Sequence, residues 1–254
     1  DSSAFGRVVA TVAWGRFILA RCARFRTRVV SGSVARGCWP LTERTTHYWQ
    51  TLHDDWPGGI APSPPFQLSY PVRLPDDRVL VLPLRELPDG QHAVASLIAN
   101  QASFAVLDAL AAAMADLAHE AGAELIVGLP TLGLALAPLV ARHLGQTRYV
   151  PLGYSRKFWY DAALSEPISS ITSPDAGKQL YLDPNVAPLL SSARVCIVDD
   201  AVSSGASILA VNRLFRRLGV PIASVVVAMK QTTRWQQPLA AVEPTLPSRL
   251  HAVF

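Results

Sequence analysis

The residues best able to do chemistry in this chain concentrate in one segment, Val195-Cys196-Ile197-Val198-Asp199-Asp200-Ala201-Val202-Ser203-Ser204-Gly205-Ala206-Ser207. Its apolar opening reads as a buried strand, two adjacent carboxylates stand at the strand's end, and small and hydroxyl residues then lead into a helix. Small residues let backbone close around an anion. The N–H groups of a helix start, with the hydroxyls of Ser203, Ser204 and Ser207, donate to phosphate oxygens. Asp199 and Asp200 would repel that phosphate, so they suit neutral hydroxyls, a metal ion or developing positive charge. A ribose 5-phosphate meets both demands, with its phosphate in the loop Ala201 to Ser207 and its 2- and 3-hydroxyls on the carboxylates. Aspartate is a good helix cap, but two in a row, well ahead of the helix, exceed what a cap requires.

Two other strand ends carry suitable groups. After the apolar run Leu125 to Leu129 comes Pro130-Thr131-Leu132-Gly133. This turn either presents N–H groups and the Thr131 hydroxyl to an anion or simply punctuates a strand-to-helix connection. After the run ending at Leu152 comes Gly153-Tyr154-Ser155-Arg156-Lys157. Adjacent cations there either serve a multiply charged phosphate, one as a fork and one as a point charge, or form a solvated basic pair. His47 and His53 flank aromatic residues with no third ligand evident, and a structural or surface role suits them.

The 195–207 segment resembles the motif that binds 5-phosphoribosyl-1-pyrophosphate (PRPP) in the type I phosphoribosyltransferases: apolar residues, two acids, two apolar residues, then a Ser/Thr/Gly loop. Ser203 and Ser204 stand where the family often has Thr or Ala, and Ala206 where Gly is common. Arg156-Lys157 is similar to a pair in adenine phosphoribosyltransferases. The resemblance implies transfer of the 5-phosphoribosyl group of PRPP to a nitrogenous base, a purine of the adenine kind, with release of pyrophosphate. It implies a Mg²⁺ ion carried by the substrate, with Asp199 and Asp200 in reach of it. Ala201, Val202, Ser203, Ser204, Gly205, Ala206 and Ser207 would then hold the 5-phosphate, and Thr131, Leu132, Gly133, Arg156 and Lys157 the pyrophosphate.

The resemblance also implies a mobile flap over residues 158–184, because a cationic ribosyl centre must be shielded from water. Asp175, three residues before Lys178, stands where adenine-type enzymes carry a flap glutamate, and Glu166 is a second candidate. Phe158, Trp159 and Tyr160 stack on a base or pack the flap. Lys230, Arg234 and Trp235 follow the last strand, where the family often contacts the base. Relatives are commonly dimers, so a homodimer is implied. Some relatives only sense PRPP, so a non-catalytic PRPP sensor of the same fold is the alternative. A P-loop nucleotide binder would need Gly-Lys-Ser/Thr at a helix start, a string the chain lacks.

The elements that must position these residues are short apolar runs alternating with helical stretches. Strands are expected near 78–83, 124–129, 148–152, 194–198 and 223–229, and helices near 91–121, 133–144 and 206–218. This pattern predicts an α/β fold: a doubly wound, mostly parallel sheet of about five strands with a small hood. Ligands bind such sheets at the C-terminal ends of the strands, where the motifs fall. Residues 45–70 read as an irregular lead-in and 153–193 as a long polar and aromatic stretch.

Half of the 254 residues are hydrophobic, enough for a sizeable core, and no apolar run reaches the roughly 18 residues of a membrane helix. Three cysteines without metal-ligand spacing fit a reducing cytoplasm. The net charge of +4 invites a nucleic-acid partner, but its distribution opposes one. Residues 1–44 hold eight arginines against Asp1 and Glu43, which leaves fifteen basic and seventeen acidic residues for 45–254. Neither a nucleic acid nor a membrane is therefore expected as a partner of the main domain. The organisation expected is an Arg-rich extension at 1–44 and a transferase domain at 45–254. Composition leaves the extension open between a disordered or non-native tail, a transit peptide and a surface-binding helix.

Overall fold

The computed structural model describes residues 51–56, 59, 61, 63–66, 68–89, 92–168 and 178–254, with the backbone of two strands at Arg7–Val9 and Leu19–Ala23. The expectations for the remainder of 1–44 and for Asp175 lie outside these residues. The chain divides into two compact units, Asp1–Leu97 and Ile98–Phe254.

The first unit is antiparallel sheet: β1 (Arg7–Val9), β2 (Leu19–Ala23), β3 (Leu52–His53), β4 (Ser69–Arg73), β5 (Val79–Glu86) and β6 (His92–Ala95). The long β5 is its hub and pairs with β3, β4 and β6. Val79 and Val81 pack with Trp56, over whose ring the Arg73 guanidinium lies at 4.7 Å. The helix expected over 91–121 is corrected at its start. His92–Ala95 alternates in burial and pairs with Leu84–Glu86 of β5, so a strand wins there. Ala-rich composition does not separate the two states. The helix begins only after Ser103, whose hydroxyl accepts the Val106 N–H at 3.3 Å as an N-cap.

The second unit contains α1 (Phe104–Glu120), β7 (Leu125–Gly128), α2 (Gly133–His143), β8 (Val150–Gly153), β9 (Ser165–Pro167), β10 (Gln179–Leu182), β11 (Val195–Val202), α3 (Ala206–Arg217), β12 (Ile222–Lys230), α4 (Gln236–Val242) and β13 (Leu250–Ala252). The sheet order is β13-β12-β11-β7-β8-β10-β9. The first five run parallel, and β10 and β9 are antiparallel additions at one edge. Val195 and Ile197 of β11 face a core that includes Ile208, Val211, Leu214 and Phe215 of α3. Cys196 and Val198, equally buried, point to the other face by the two-residue period of a strand. There α2 packs against β7 and β11, and α1 against β12. Helices cover both faces, as the near-continuous apolar strands require.

The 153–193 stretch holds more structure than its composition announces, for β9 and β10 pair within it and β10 also pairs β8. The sequence of β10 is short and half polar because this strand buries only alternate residues, while β9 buries the polar Ser165 and Glu166 side by side. Among the described residues no helix is long and apolar enough to cross a membrane.

Candidate functional site

Chain order reverses beside β7: β8 lies on one side of it, and β11, β12 and β13 follow on the other. In an open parallel sheet this reversal opens a crevice beyond the C-terminal strand ends, because the connections on its two sides leave in opposite directions. The crevice between β7 and β11 is flanked by the turn 129–132 and by the segment Asp199 to Ser207, so topology alone sets the two motifs opposite each other.

Asp199 and Asp200 lie within β11, near its end. Asp199 is 8% exposed, and Asp200 is half-buried. The Asp199 carboxylate accepts the Asp200 backbone N–H at 2.9 Å and a backbone hydrogen bond from Gly133 across the crevice. A Cβ on Gly133 would stand 2.8 Å from Asp199 Oδ1 and 2.8 Å from the Val198 carbonyl, so only glycine lets α2 start against the acid. Burial pushes the Asp199 carboxyl well above the ordinary range, and the neighbouring Asp200 adds to this. Burial also raises Asp200, opposed by hydrogen bonds from Asp199 and the Ala201 backbone. The two carboxyls interact directly, so they titrate as a pair and not as two separate acids.

Beyond the acids the chain turns through Ser203 and Ser204 to Gly205, the N-cap of α3, whose φ of 78° favours glycine. Having no side chain, Gly205 leaves the first N–H groups of α3 uncapped by its own residue. Ala201 to Ile208 and Asp199 line a cavity of about 170 Å³. Thr232 anchors the loop from β12, donating its hydroxyl to the Ser203 carbonyl at 2.7 Å. Trp235 packs beneath the turn, with its Cβ 3.2 Å from where a Gly205 Cβ would be. It is buried and donates Nε1–H to the Thr232 carbonyl, so the expected base contact by Trp235 is corrected to a core role. Lys230, half-buried at the end of β12, lies 5.6 Å over the Trp235 ring, and burial lowers its ammonium pKa.

On the β7 side, Thr131 is exposed, Leu132 half-buried and Gly133 buried at the start of α2. The Pro130–Thr131 peptide is cis. After β8, Arg156 and Lys157 are both exposed. The residue of this loop that reaches the site is Tyr154, which sequence reading passed over. Its hydroxyl donates to the Pro130 carbonyl at 2.7 Å and shares a hydrogen bond with Ser207. One phenol thus ties together the loops after β7, β8 and β11. Burial raises its pKa, and the charge of Asp199 adds to this. Lys178, the first described residue after 169–177, sits 5.6 Å over the Tyr154 ring. A lone tyrosine before a basic pair was the only signal in the sequence.

Glu166, the second candidate for a flap carboxylate, is corrected. It is buried and accepts Arg213 Nε and Arg217 Nη, each at 2.7 Å, which pins β9 to α3. Burial alone would raise its pKa, but the hydrogen bonds from Arg217 and Arg213 outweigh it and hold the carboxyl below its ordinary value. A carboxylate engaged on both oxygens is a structural tie. Of the aromatic trio, Phe158 is 97% exposed and meets Trp159 edge-on at 4.8 Å. Trp159 and Tyr160 both hydrogen-bond Asp183. Among the described residues no group of three or more acidic, His or Cys side chains could hold a metal ion.

Residues 94–243 match the model of a family described as the phosphoribosyl transferase domain. An adenine phosphoribosyltransferase from Giardia lamblia, solved with 9-deazaadenine, is similar at 21% identity over 67% of this chain and 92% of its own, with a TM-score of 0.52. One from Trypanosoma brucei, solved with AMP, pyrophosphate and ribose 5-phosphate, is similar at 17% identity over 63% and 68%, with a TM-score of 0.51. These likenesses establish the fold. No curated protein matches the chain.

Proposed function

The chain belongs to the phosphoribosyl transferase domain family, and on that footing we propose that it transfers the 5-phosphoribosyl group of PRPP to a purine base of the adenine kind, releasing pyrophosphate. The observation that carries this reading is the placement, at one strand end in one crevice, of the Asp199-Asp200 acids beside a helix-start loop fit for phosphate. Neither half alone selects PRPP. A phosphate loop suits any nucleotide, and an acid pair suits any polyol or metal. Purine and adenine rest on the names of the similar structures and on the Arg156-Lys157 resemblance.

The roles follow from placement. Ser203, Ser204, Ser207 and the first N–H groups of α3 receive the 5-phosphate. Asp199 and Asp200 accept the ribose hydroxyls and stabilise positive charge growing at the anomeric carbon. Thr131, Arg156 and Lys157 hold the pyrophosphate as it departs, while Gly133, whose backbone bonds Asp199, positions the acid. Tyr154 fixes the three loops in register. Asp175 is assigned to the leaving or entering base by position, and Phe158 and Trp159 to its ring. Two carboxylates and a phosphate-rich substrate suit Mg²⁺, which keeps most of its waters and takes one or two carboxylates. When bound, the ion neutralises pyrophosphate charge. The wider reading is a cytoplasmic enzyme acting as a homodimer, with residues 45–254 as the transferase domain and 1–44 as its extension.

The test is pyrophosphate release from PRPP and Mg²⁺ with a panel of purine and pyrimidine bases. Release that requires adenine and is lost in Asp199→Asn/Asp200→Asn supports the proposal. PRPP binding with no turnover on any base would make the protein a PRPP sensor, and no PRPP binding would end both readings.

A further inference from the structure

A second cavity, of about 360 Å³, lies at the end of the sheet opposite the acid pair. It is bounded by Asn212 and Arg216 of α3, Ile222 at the start of β12, Val242 and Glu243 at the end of α4, and Arg249. The nine residues of β12 separate Ile222 from Lys230 at the catalytic end, roughly 25 Å of strand. None of its lining residues belongs to the site described above.

Asn212 and Arg216 are four apart on α3 and share a face. Asn212 is only 1% exposed. Its Nδ2 donates to Glu243 Oε2 at 3.1 Å, which orients the amide, because the flipped form would set oxygen against carboxylate. Its Oδ1 then has no hydrogen-bond partner in the protein. Arg249 pairs with Glu243 and donates to the Ile222 carbonyl, while its Nε is buried without an acceptor. Arg216 donates one Nη to the Val242 carbonyl at 3.3 Å and is otherwise exposed. Buried polar groups are rarely left unpaired, and here an acceptor and a donor are both left so against one cavity.

We propose that this cavity binds a small organic acid with one negative charge, an apolar body and an O–H donor beside its carboxylate: an α-hydroxy acid. Arg216 and Arg249 against Glu243 leave one net positive charge, which matches a monoanion and not a phosphate dianion. A guanidinium presents its donors in the plane a carboxylate accepts. The donor beside the carboxylate supplies the hydrogen bond that Asn212 Oδ1 lacks. The side chains of Val220, Ile222 and Val242 supply the apolar wall.

The experiment is calorimetric titration of the full chain with L-leucine, 2-hydroxy-4-methylpentanoate, 4-methylpentanoate and inorganic phosphate. The hydroxy acid should bind saturably at one site, and the zwitterionic L-leucine, which has no net charge, at least about tenfold more weakly. The donor-free 4-methylpentanoate should bind at least about tenfold more weakly, and phosphate more weakly still. Arg216→Ala removes an exposed side chain without touching the core, and should weaken the acid at least about tenfold with an unchanged melting transition. Asn212→Asp, which sets a carboxylate where the acceptor was, should abolish binding where it folds. No saturable binding of the hydroxy acid, equal affinity for L-leucine or 4-methylpentanoate, affinity unchanged by Arg216→Ala, or displacement of the acid by PRPP would each overturn the proposal.

Discussion

Asp199 and Glu166 are equally buried, each 8% exposed, yet burial wins at one and loses at the other. Asp199 faces a second acid and a glycine N–H, and its carboxyl stands well above the ordinary range. Glu166 faces two arginines, and its carboxyl stands below it. Desolvation opposes both charges, and the neighbours add to it at Asp199 and outweigh it at Glu166. A carboxylate with cations on both oxygens ties β9 to α3 and has nothing left for a ligand. A carboxylate buried beside its own kind is a poor structural element and a ready one for chemistry, since substrate hydroxyls and positive charge relieve it.

The contrast breaks hardest at the acid pair. Asp199→Asn/Asp200→Asn should cut PRPP-dependent pyrophosphate release by about a thousandfold or more. Calorimetry should show a melting midpoint at or above wild type, because the variant removes a buried like-charge pair. A lower midpoint would make the acids structural. Gly133→Ala comes next. The added Cβ must displace α2 or Asp199, at about 1–3 kcal/mol of stability read by urea unfolding, together with weaker PRPP binding.

Glu166→Gln should do the reverse of the acid-pair change. It should lose about 2 kcal/mol of stability while the rate at saturating substrate stays near wild type. A collapse of rate at unchanged stability would return Glu166 to the site. The smallest effect is the pH dependence of the melting midpoint. Asp199 binds its proton more tightly folded than unfolded, so the stability it contributes is lost as pH rises above the ordinary carboxylate range. Glu166 binds its proton less tightly folded, so its contribution is present above that range and lost as pH falls through it. Asp199→Asn should therefore flatten the alkaline side of the profile and Glu166→Gln the acid side.

Much of this was legible along the chain. Apolar runs such as Val195 to Val198 announced parallel strands because both faces of such a strand are covered, and covered strands need no polar alternation. Asp199, Asp200 and the small-residue loop stood out because their pairing is hard to explain as packing. Other features stayed hidden for physical reasons. His92–Ala95 looked helical because alanine suits a helix and only pairing with β5 made it a strand. Trp235 looked like a base contact because sequence position does not reveal that it is buried against Gly205 with its indole N–H on the Thr232 carbonyl.

The sequence by itself determined the kind of sheet, the order of strand, acid pair, phosphate loop and helix, and the chemistry those residue types allow. All of these are local, written in runs of a dozen residues with one period. Tertiary structure alone decided which distant groups meet. It placed Gly133 against Asp199, Tyr154 between three loops, Glu166 between Arg213 and Arg217, and Asn212 against a second cavity. Those meetings depend on strand order and on close packing between residues dozens of positions apart, and no periodicity along the chain records them.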